Sequence, residues 1–381
     1  MTSVDSAKAL PVVKSVALHR VRVPLVEPFR ISNGEVAEKE AILIEVATVG
    51  NKQIGWGEAS PMPGNFYSGD TPETVWDSLV NNLIPDLLNA GKVDVAKYYE
   101  KLRIDSVDPF ARAGIEGALW DLYANILDVP LYELLGGHSI AIPSGVAIGI
   151  YDEPEELLKR VERFTAQGYR RVKIKIGPGW DVEPVAAIRK QFPELPLMVD
   201  ANAAYSIEDL NVFLELDKYD LMMIEQPLAR DAHHDAGELQ QQLNTPLCAD
   251  ESAESMEKLS SLIKNKAARI VNIKVQRVGG LSEAMLMFNA ARAAGLECWV
   301  GTMPELGIAS AQGLHFASLD GFSYPTDIEA SLRWYVDDVI EPAIEIDAQG
   351  WIHLPAGPGT GYRVDRQKSE RYTIEKIDFA N

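Results

Sequence analysis

Only two cysteines, Cys248 and Cys298, occur in 381 residues. Both fall in apolar, strand-like runs, where a free thiol serves as a small buried hydrophobe, so the count argues against a disulfide framework or a zinc site. Positive charge is also scarce: 36 Lys and Arg against 56 Asp and Glu leave a net charge of -20. Such a surface repels phosphate backbones and anionic lipid head groups, which argues against nucleic acid and membrane partners. No apolar run approaches the length that spans a bilayer, and residues 1–15 lack the apolar stretch of a secretion signal. A cytoplasmic protein is expected. Low-complexity tracts are missing, and 46% hydrophobic with 24% charged residues is an ordinary globular composition.

What is present divides into two patterns. From about residue 140 strand and helix signals alternate. "IPSGVAIGI", "VKIKI", "LPLMVD", "LMMIE", "PLCAD", "IVNIK", "LECWV" and "GFSYPTD" read as eight strands. Helical faces lie between them, such as Leu157, Leu158, Val161 and Phe164 after an expected cap at Asp152, and Ser206 opens another helix. Alternation implies parallel strands, and eight of them imply a closed α/β barrel. An open doubly wound sheet is the competitor, but no G-x-G-x-x-G follows the first strand. Residues 1–135 read differently, as a meander ("VKSVALHRVRVPL", "EAILIEVAT", "QIGWGEA") followed by helices, an α+β domain. The expected domains are therefore 1–135, a barrel at 136–340, and a segment 341–381 that packs back on the first.

Lys175, Asp200, Glu225, Asp250 and Lys274 fall at the C-terminal ends of successive strands, spaced 25, 25, 25 and 24 residues apart. That spacing is one βα unit, and barrel enzymes place their chemistry at these ends. Three converging carboxylates need a cation to remain ionised together, and an all-oxygen donor set suits Mg²⁺, with Mn²⁺ as the alternative. Lys175 and Lys274, on the second and sixth strands, face one another across the mouth. Lys173 points the same way as Lys175, because strand side chains alternate, and its charge and that of the metal disfavour the protonated form of Lys175. The coherent chemistry is removal of a proton next to a carboxylate.

Taken singly, each residue has a plainer explanation. Asp200 and Asp250 fit turn or cap positions, Glu225 a solvated loop, and K-x-K a solvated strand face. Asn202, Glu251 and Gln226 adjoin the acids and fit either support of the ligands or local capping. His233 and His234 read as solvated loop residues, His315 as helix packing, and none as a base. The plainer readings give no reason for acids and lysines to recur at matching strand ends.

The stretches "KIKIGPGWDVEPV", "LMVDANAAYS", "LMMIEQPLA", "ADES" and "VNIKVQRVGG" resemble the enolase superfamily, in its branch of o-succinylbenzoate synthases and N-acylamino acid racemases. The similarity extends from "EPFRISNG" and "GWGEASP" to "DIEASLRWYVDDVIEP". It implies a (β/α)7β TIM-like barrel under an N-terminal α+β capping domain, with Asp200, Glu225 and Asp250 on Mg²⁺. Lys175 and Lys274 would be the acid/base pair acting on a small carboxylate, in a homo-oligomer. In the synthase reaction, a syn dehydration of menaquinone biosynthesis, Lys175 would act as base and then acid while Lys274 holds the enediolate. In racemisation the two would exchange protons on opposite faces. Arg277 matches an arginine of racemase-competent members.

Departures from the branch pattern bear on the substrate. "GTMPELGIA" stands where the branch usually reads Gly-Gly-Met-Leu-Glu-Thr-Gly-Ile-Gly; Pro304 removes a donor and restricts Met303, which changes contacts on the substrate's side. Asp327 and Glu329 only partly match the Asp-x-Asp with which dipeptide epimerases hold an ammonium. "RISNGEVAEKE" and "SPMPGNFYSGD" are expected to close over the site. A dedicated racemase, a dipeptide epimerase, a muconate-type cycloisomerase and a silent metal-binding relative are the competing readings.

Overall fold

The computed structural model describes residues 10–31, 34–49, 52–64, 68–104 and 108–380. Residues 1–9 of the N-terminal stretch, and 32–33 and 65–67 of the two expected closing segments, lie outside the described residues. The chain begins with β1 (Val13–Ile31), β2 (Gly34–Thr48) and β3 (Ile54–Ala59), an antiparallel meander. Then come α1 (Pro72–Ser78), a π-helical turn, α2 (Ile84–Asn89), α3 (Val95–Ile104), α4 (Pro109–Leu127) and α5 (Leu131–Leu135). The unbroken apolar run in β2 has a simple cause. Ile42 and Ile44 face one core, with the helices of this first domain, while Ala41 and Leu43 face another that includes barrel residues.

β4 (Ala141–Pro143), outside the barrel sheet, leads into the barrel, which starts with β5 (Val146–Ile148) and continues through α6 (Pro154–Ala166), β6 (Val172–Lys175), α7 (Val182–Gln191) and β7 (Leu197–Asp200). It proceeds through α8 (Leu210–Leu216), β8 (Ile224–Glu225), α9 (His233–Gln242), β9 (Leu247–Ala249), α10 (Met256–Asn265) and β10 (Ile270–Ile273). The short α11 (Val275–Val278), α12 (Leu281–Ala293), β11 (Glu297–Val300) and α13 (Gly307–Ala317) complete it. Strands β5 to β11 form a parallel sheet in sequence order. The expected eighth strand is not a regular one. Residues 322–326 close the ring through single parallel bridges, Cys298 to Phe322 and Ser144 to Thr326. Pro325 within this segment has no N–H to give to a ladder.

The remaining elements are α14 (Ser331–Trp334), β12 (Ile340–Glu341), β13 (Trp351–His353), β14 (Arg363–Val364), α15 (Arg366–Tyr372) and β15 (Thr373–Ala380). β15 pairs antiparallel with β1, giving a four-stranded sheet in the order β15-β1-β2-β3. Among the described residues no helix is long and apolar enough to cross a membrane.

Two local expectations are corrected. Asp152 does not cap α6: Glu153 holds that position, and the Asp152 carboxylate pairs with Arg30 of β1 at 3.0 Å. His233 is not solvated but buried, with Nδ1 at 2.7 Å from Ser261 Oγ and Nε2 at 2.9 Å from the Arg230 carbonyl. The first turn of α9 turns it inward, while His234 beside it is exposed.

Candidate active site

Alternation along β6 sends Val172, Ile174 and Ile176 outward into the core shared with the surrounding helices, so Lys173 and Lys175 point into the barrel. Lys175, Asp200 and Glu225 are the last residues of β6, β7 and β8 and stand opposite one another in the ladder. Asp250 and Lys274 follow β9 and β10 by one residue. All are buried, and the three acids have 0% exposure. The Lys175 amine lies 2.6 Å from Asp200 Oδ2, and the Lys274 amine 2.8 Å from Asp250 Oδ2. Lys173 lies deeper, reaching Glu225 at 2.7 Å, Asp327 at 2.9 Å and Asp200 at 3.0 Å, with the Trp299 ring 5.2 Å away.

These contacts set the charges. Burial would raise Asp200 and Asp250, but Lys173 and Lys175 hold the first below the usual carboxylate range, and Lys274 and Arg277 hold the second there. Burial, and next the Asp200 carboxylate, push Glu225 up to about 8. Lys173 resists the pull of burial toward the neutral amine because Asp200, Asp327 and Glu225 raise it well above an ordinary lysine. Three inaccessible carboxylates on neighbouring strands, one of them raised by burial and then by its neighbours' charge, supply hard-oxygen donors of the kind a divalent cation takes; lysine amines hold them here, and their oxygens do not all lie within 4.8 Å of one another.

Above them lies a cavity of about 60 Å³. Lys173, Lys175, Asn202, Lys274 and Asp327 form its charged and polar floor; its upper wall is apolar, with Phe29, Val36 and Met62 from the N-terminal domain and Met303, Pro304 and Trp334 from the barrel side. Phe29 and Trp334 meet edge to face, centroids 4.8 Å apart.

Comparisons with known proteins give the family. Residues 156–368 match the family described as enolase C-terminal domain-like, and residues 13–136 match the mandelate racemase / muconate lactonizing enzyme N-terminal domain. The chain belongs to the enolase superfamily. It is 41% identical over 361 residues, 95% of this chain and 96% of the relative, to an o-succinylbenzoate synthase of Geobacillus kaustophilus. It is 35% identical over 362 residues, 95% of this chain and 97% of the relative, to an N-succinylamino acid racemase of Thermus thermophilus. Among solved structures, an enolase superfamily member from Listeria innocua superposes with a TM-score of 0.92 at 33% identity, covering 97% of this chain and 99% of the other. Enzymes of this superfamily generally use a divalent metal.

The residues beside the acids divide. Asn202 donates from Nδ2 to Glu251 Oε1 at 3.0 Å and from its backbone N–H to Asp200 Oδ1 at 2.9 Å, so Asn202 and Glu251 brace one acid. Burial, then Asp250 and Asp200, push Glu251 up to about 7. Gln226 turns to the backbone, accepting from the N–H groups of Asp250 and Ser252, both at 3.0 Å. Arg277 pairs with Asp250 and donates to the Asn272 carbonyl at 2.8 Å. The Met303 N–H is engaged with Glu305 Oε1 at 3.2 Å.

Three carboxylates, Asp200, Glu225 and Asp327, surround the Lys173 ammonium and balance its charge beside Lys175. The eighth-segment acids are also engaged. Asp327 pairs with Arg171 at 2.8 Å as well as with Lys173, and Glu329 accepts the Ala147 N–H at 2.8 Å and pairs with Arg333 at 3.2 Å. Sequence reasoning missed Asn272, whose Nδ2 donates to Glu225 Oε1 at 2.8 Å. The signal was there in principle: a polar residue in "IVNIK", two before Lys274 and so on its side of the strand.

Proposed function

We propose that the protein is an o-succinylbenzoate synthase that removes a proton alpha to a carboxylate and completes a syn dehydration, and that it also racemises N-succinylamino acids. The observation that carries this is the entry of two amines, Lys175 from β6 and Lys274 from β10, into one cavity with Asp200, Glu225 and Asp250 between them. The names of the relatives at 41% and 35% identity support the two activities. Asp200, Glu225 and Asp250 would hold Mg²⁺, with Mn²⁺ as substitute, braced by Asn202, Glu251, Arg277 and Lys173. Bound there, the ion would supply positive charge against the substrate carboxylate. Lys175 Nζ takes the α-proton and the C–H electron pair passes into the enediolate; that pair then forms the C=C bond and restores the carboxylate as the C–O bond breaks, while the Lys175 ammonium returns the proton to the departing hydroxyl, which leaves as water on the same face. Lys274 stands on the opposite face as a cation beside the enediolate.

A dedicated N-succinylamino acid racemase is the second reading. It is favoured by the even placement of the amines, each bonded to one outer acid of the trio, since proton exchange on two faces needs matched groups. Both readings describe a cytoplasmic homo-oligomer acting on a small carboxylate, with residues 1–135, 136–340 and 341–381 as its domains.

The test is turnover of the synthase substrate beside α-hydrogen exchange of N-succinylamino acids in deuterated water. Wild type with Mg²⁺ is expected to perform both, EDTA to abolish both, Lys175→Ala to lower dehydration about 10³-fold, within the range for a lost acid/base group, and Lys274→Ala to lower it about 10²- to 10³-fold, as for a lost electrostatic stabiliser. Exchange without dehydration selects the racemase reading, and neither activity overturns both.

A further inference from the structure

Lys39, on β2, is 1% exposed, although an ammonium is costly to bury without partners. Its Nζ donates to the backbone carbonyls of Ser60 at 3.1 Å and Pro61 at 3.0 Å. Those carbonyls belong to the segment that leaves β3 after Ala59, where ladder pairing ends and Pro61 has no N–H of its own. From the other side the Ser60 N–H donates to Gln276 Oε1 at 2.9 Å, and Gln276 Nε2 donates to the Glu58 carbonyl at 2.8 Å. Gln276 lies on α11, two residues after Lys274. The segment is thus clamped between the N-terminal domain and the element that follows a cavity lysine, and the next residue, Met62, lines the cavity.

The buried carboxylates around Lys39 tie in a third wall. Glu58 accepts the N–H groups of Leu306 at 2.8 Å and Ala309 at 2.9 Å, at the start of α13, and Glu305 accepts the Met303 N–H. Burial lowers Lys39 to about 8, partly offset by Glu58, Glu305 and Glu40. An apolar side chain would fill this space without that cost, but could not hold two carbonyls.

We propose that Lys39 is a positioning residue that fixes Met62 against the 302–306 loop and so sets binding of the non-reacting arm of the substrate. This assignment rests on the function proposed above. Lys39 touches none of the reacting groups, so its loss acts on substrate binding and leaves the chemical step in place.

Lys39→Met keeps volume and removes the donors. It is expected to raise KM roughly tenfold for the synthase substrate and for N-succinylamino acids, with kcat held within about twofold, and Lys39→Arg is expected to recover part of the loss. A second readout needs no turnover. With Met62→Cys as reporter, a thiol reagent is expected to label residue 62 about tenfold faster in the Lys39→Met background, as local opening grows. Unchanged KM together with unchanged labelling overturns the proposal, as does a fall in kcat at constant KM. Should Lys39→Met not fold, Lys39→Gln is read by the same two measurements. If wild type turns over neither substrate the proposed function fails, and the labelling rates still decide the role of Lys39.

Discussion

Asn272 shows how much one interior amide carries. Its Nδ2 holds Glu225, the acid of the three that burial, and next the Asp200 charge, drives highest, and Gly301 leaves room for it: a Cβ there would come within 2.2 Å of the Asn272 Oδ1. With Glu225 a ligand of the proposed Mg²⁺ site, Asn272→Ala is expected to weaken Mg²⁺ binding by about 10- to 100-fold, the usual cost of losing a group that orients a ligand. Isothermal titration at pH 7 measures it, and unchanged affinity would assign Asn272 to packing alone. The acids and lysines were legible in the sequence because their spacing repeats the βα unit. Asn272 and Lys39 were not. Each lies in a run dominated by something else, apolar in "IVNIK" and charged in "EVAEKE", and nothing local says that the partner is Glu225 or the carbonyls of residues 60 and 61.

At the scale of elements, the first domain docks on the barrel through helix ends. Glu58 accepts N–H groups at the start of α13, Glu116 of α4 accepts the Ser282 N–H at the start of α12 at 3.1 Å, and Arg112 of α4 donates to the Val278 and Gly279 carbonyls that end α11. Carboxylates at N-termini and a guanidinium at a C-terminus match the helix dipoles. β3 and α4 must therefore lie close together, and glycine permits it: a Cβ on Gly57 would fall 2.0 Å from the Gly114 carbonyl oxygen. Gly57→Ala is expected to destabilise the protein by about 1–3 kcal/mol or more through forced separation of strand and helix, seen as a lower urea midpoint. An unchanged midpoint would mean that the two elements part without cost. "QIGWGEA" was legible as a strand, but the reason for its glycines resides in a helix some sixty residues away. "GFSYPTD" was legible as the last wall of the barrel, but not as a wall held by bridges alone.

For the whole molecule, His315 joins three parts of the chain. It is fully buried in α13, its Nδ1 accepts the Tyr132 N–H of α5 at 3.0 Å, and its Nε2–H donates to the Thr360 carbonyl at 2.9 Å. Burial lowers it from 6.5 to about 4, so between those values the unfolded chain binds a proton that the native state does not. Stability is therefore complete above pH 6.5 and is lost as pH falls toward 4, by roughly 3 kcal/mol from this one group. Denaturant titrations of wild type and His315→Gln across pH 4–7 check the sign: the variant, weaker at pH 7, is expected to show a flatter dependence, and equal slopes would rule this origin out. The helical placement of His315 was legible from its neighbours; the tie to Thr360 depends on how the tail returns.

That return has a consequence for biosynthesis. The strand that flanks β1 is made of residues 373–380, so throughout translation of the barrel β1 stays an open edge, able to recruit stray strands from other nascent chains. The ribosome must expose nearly every residue described before that vulnerability is sealed.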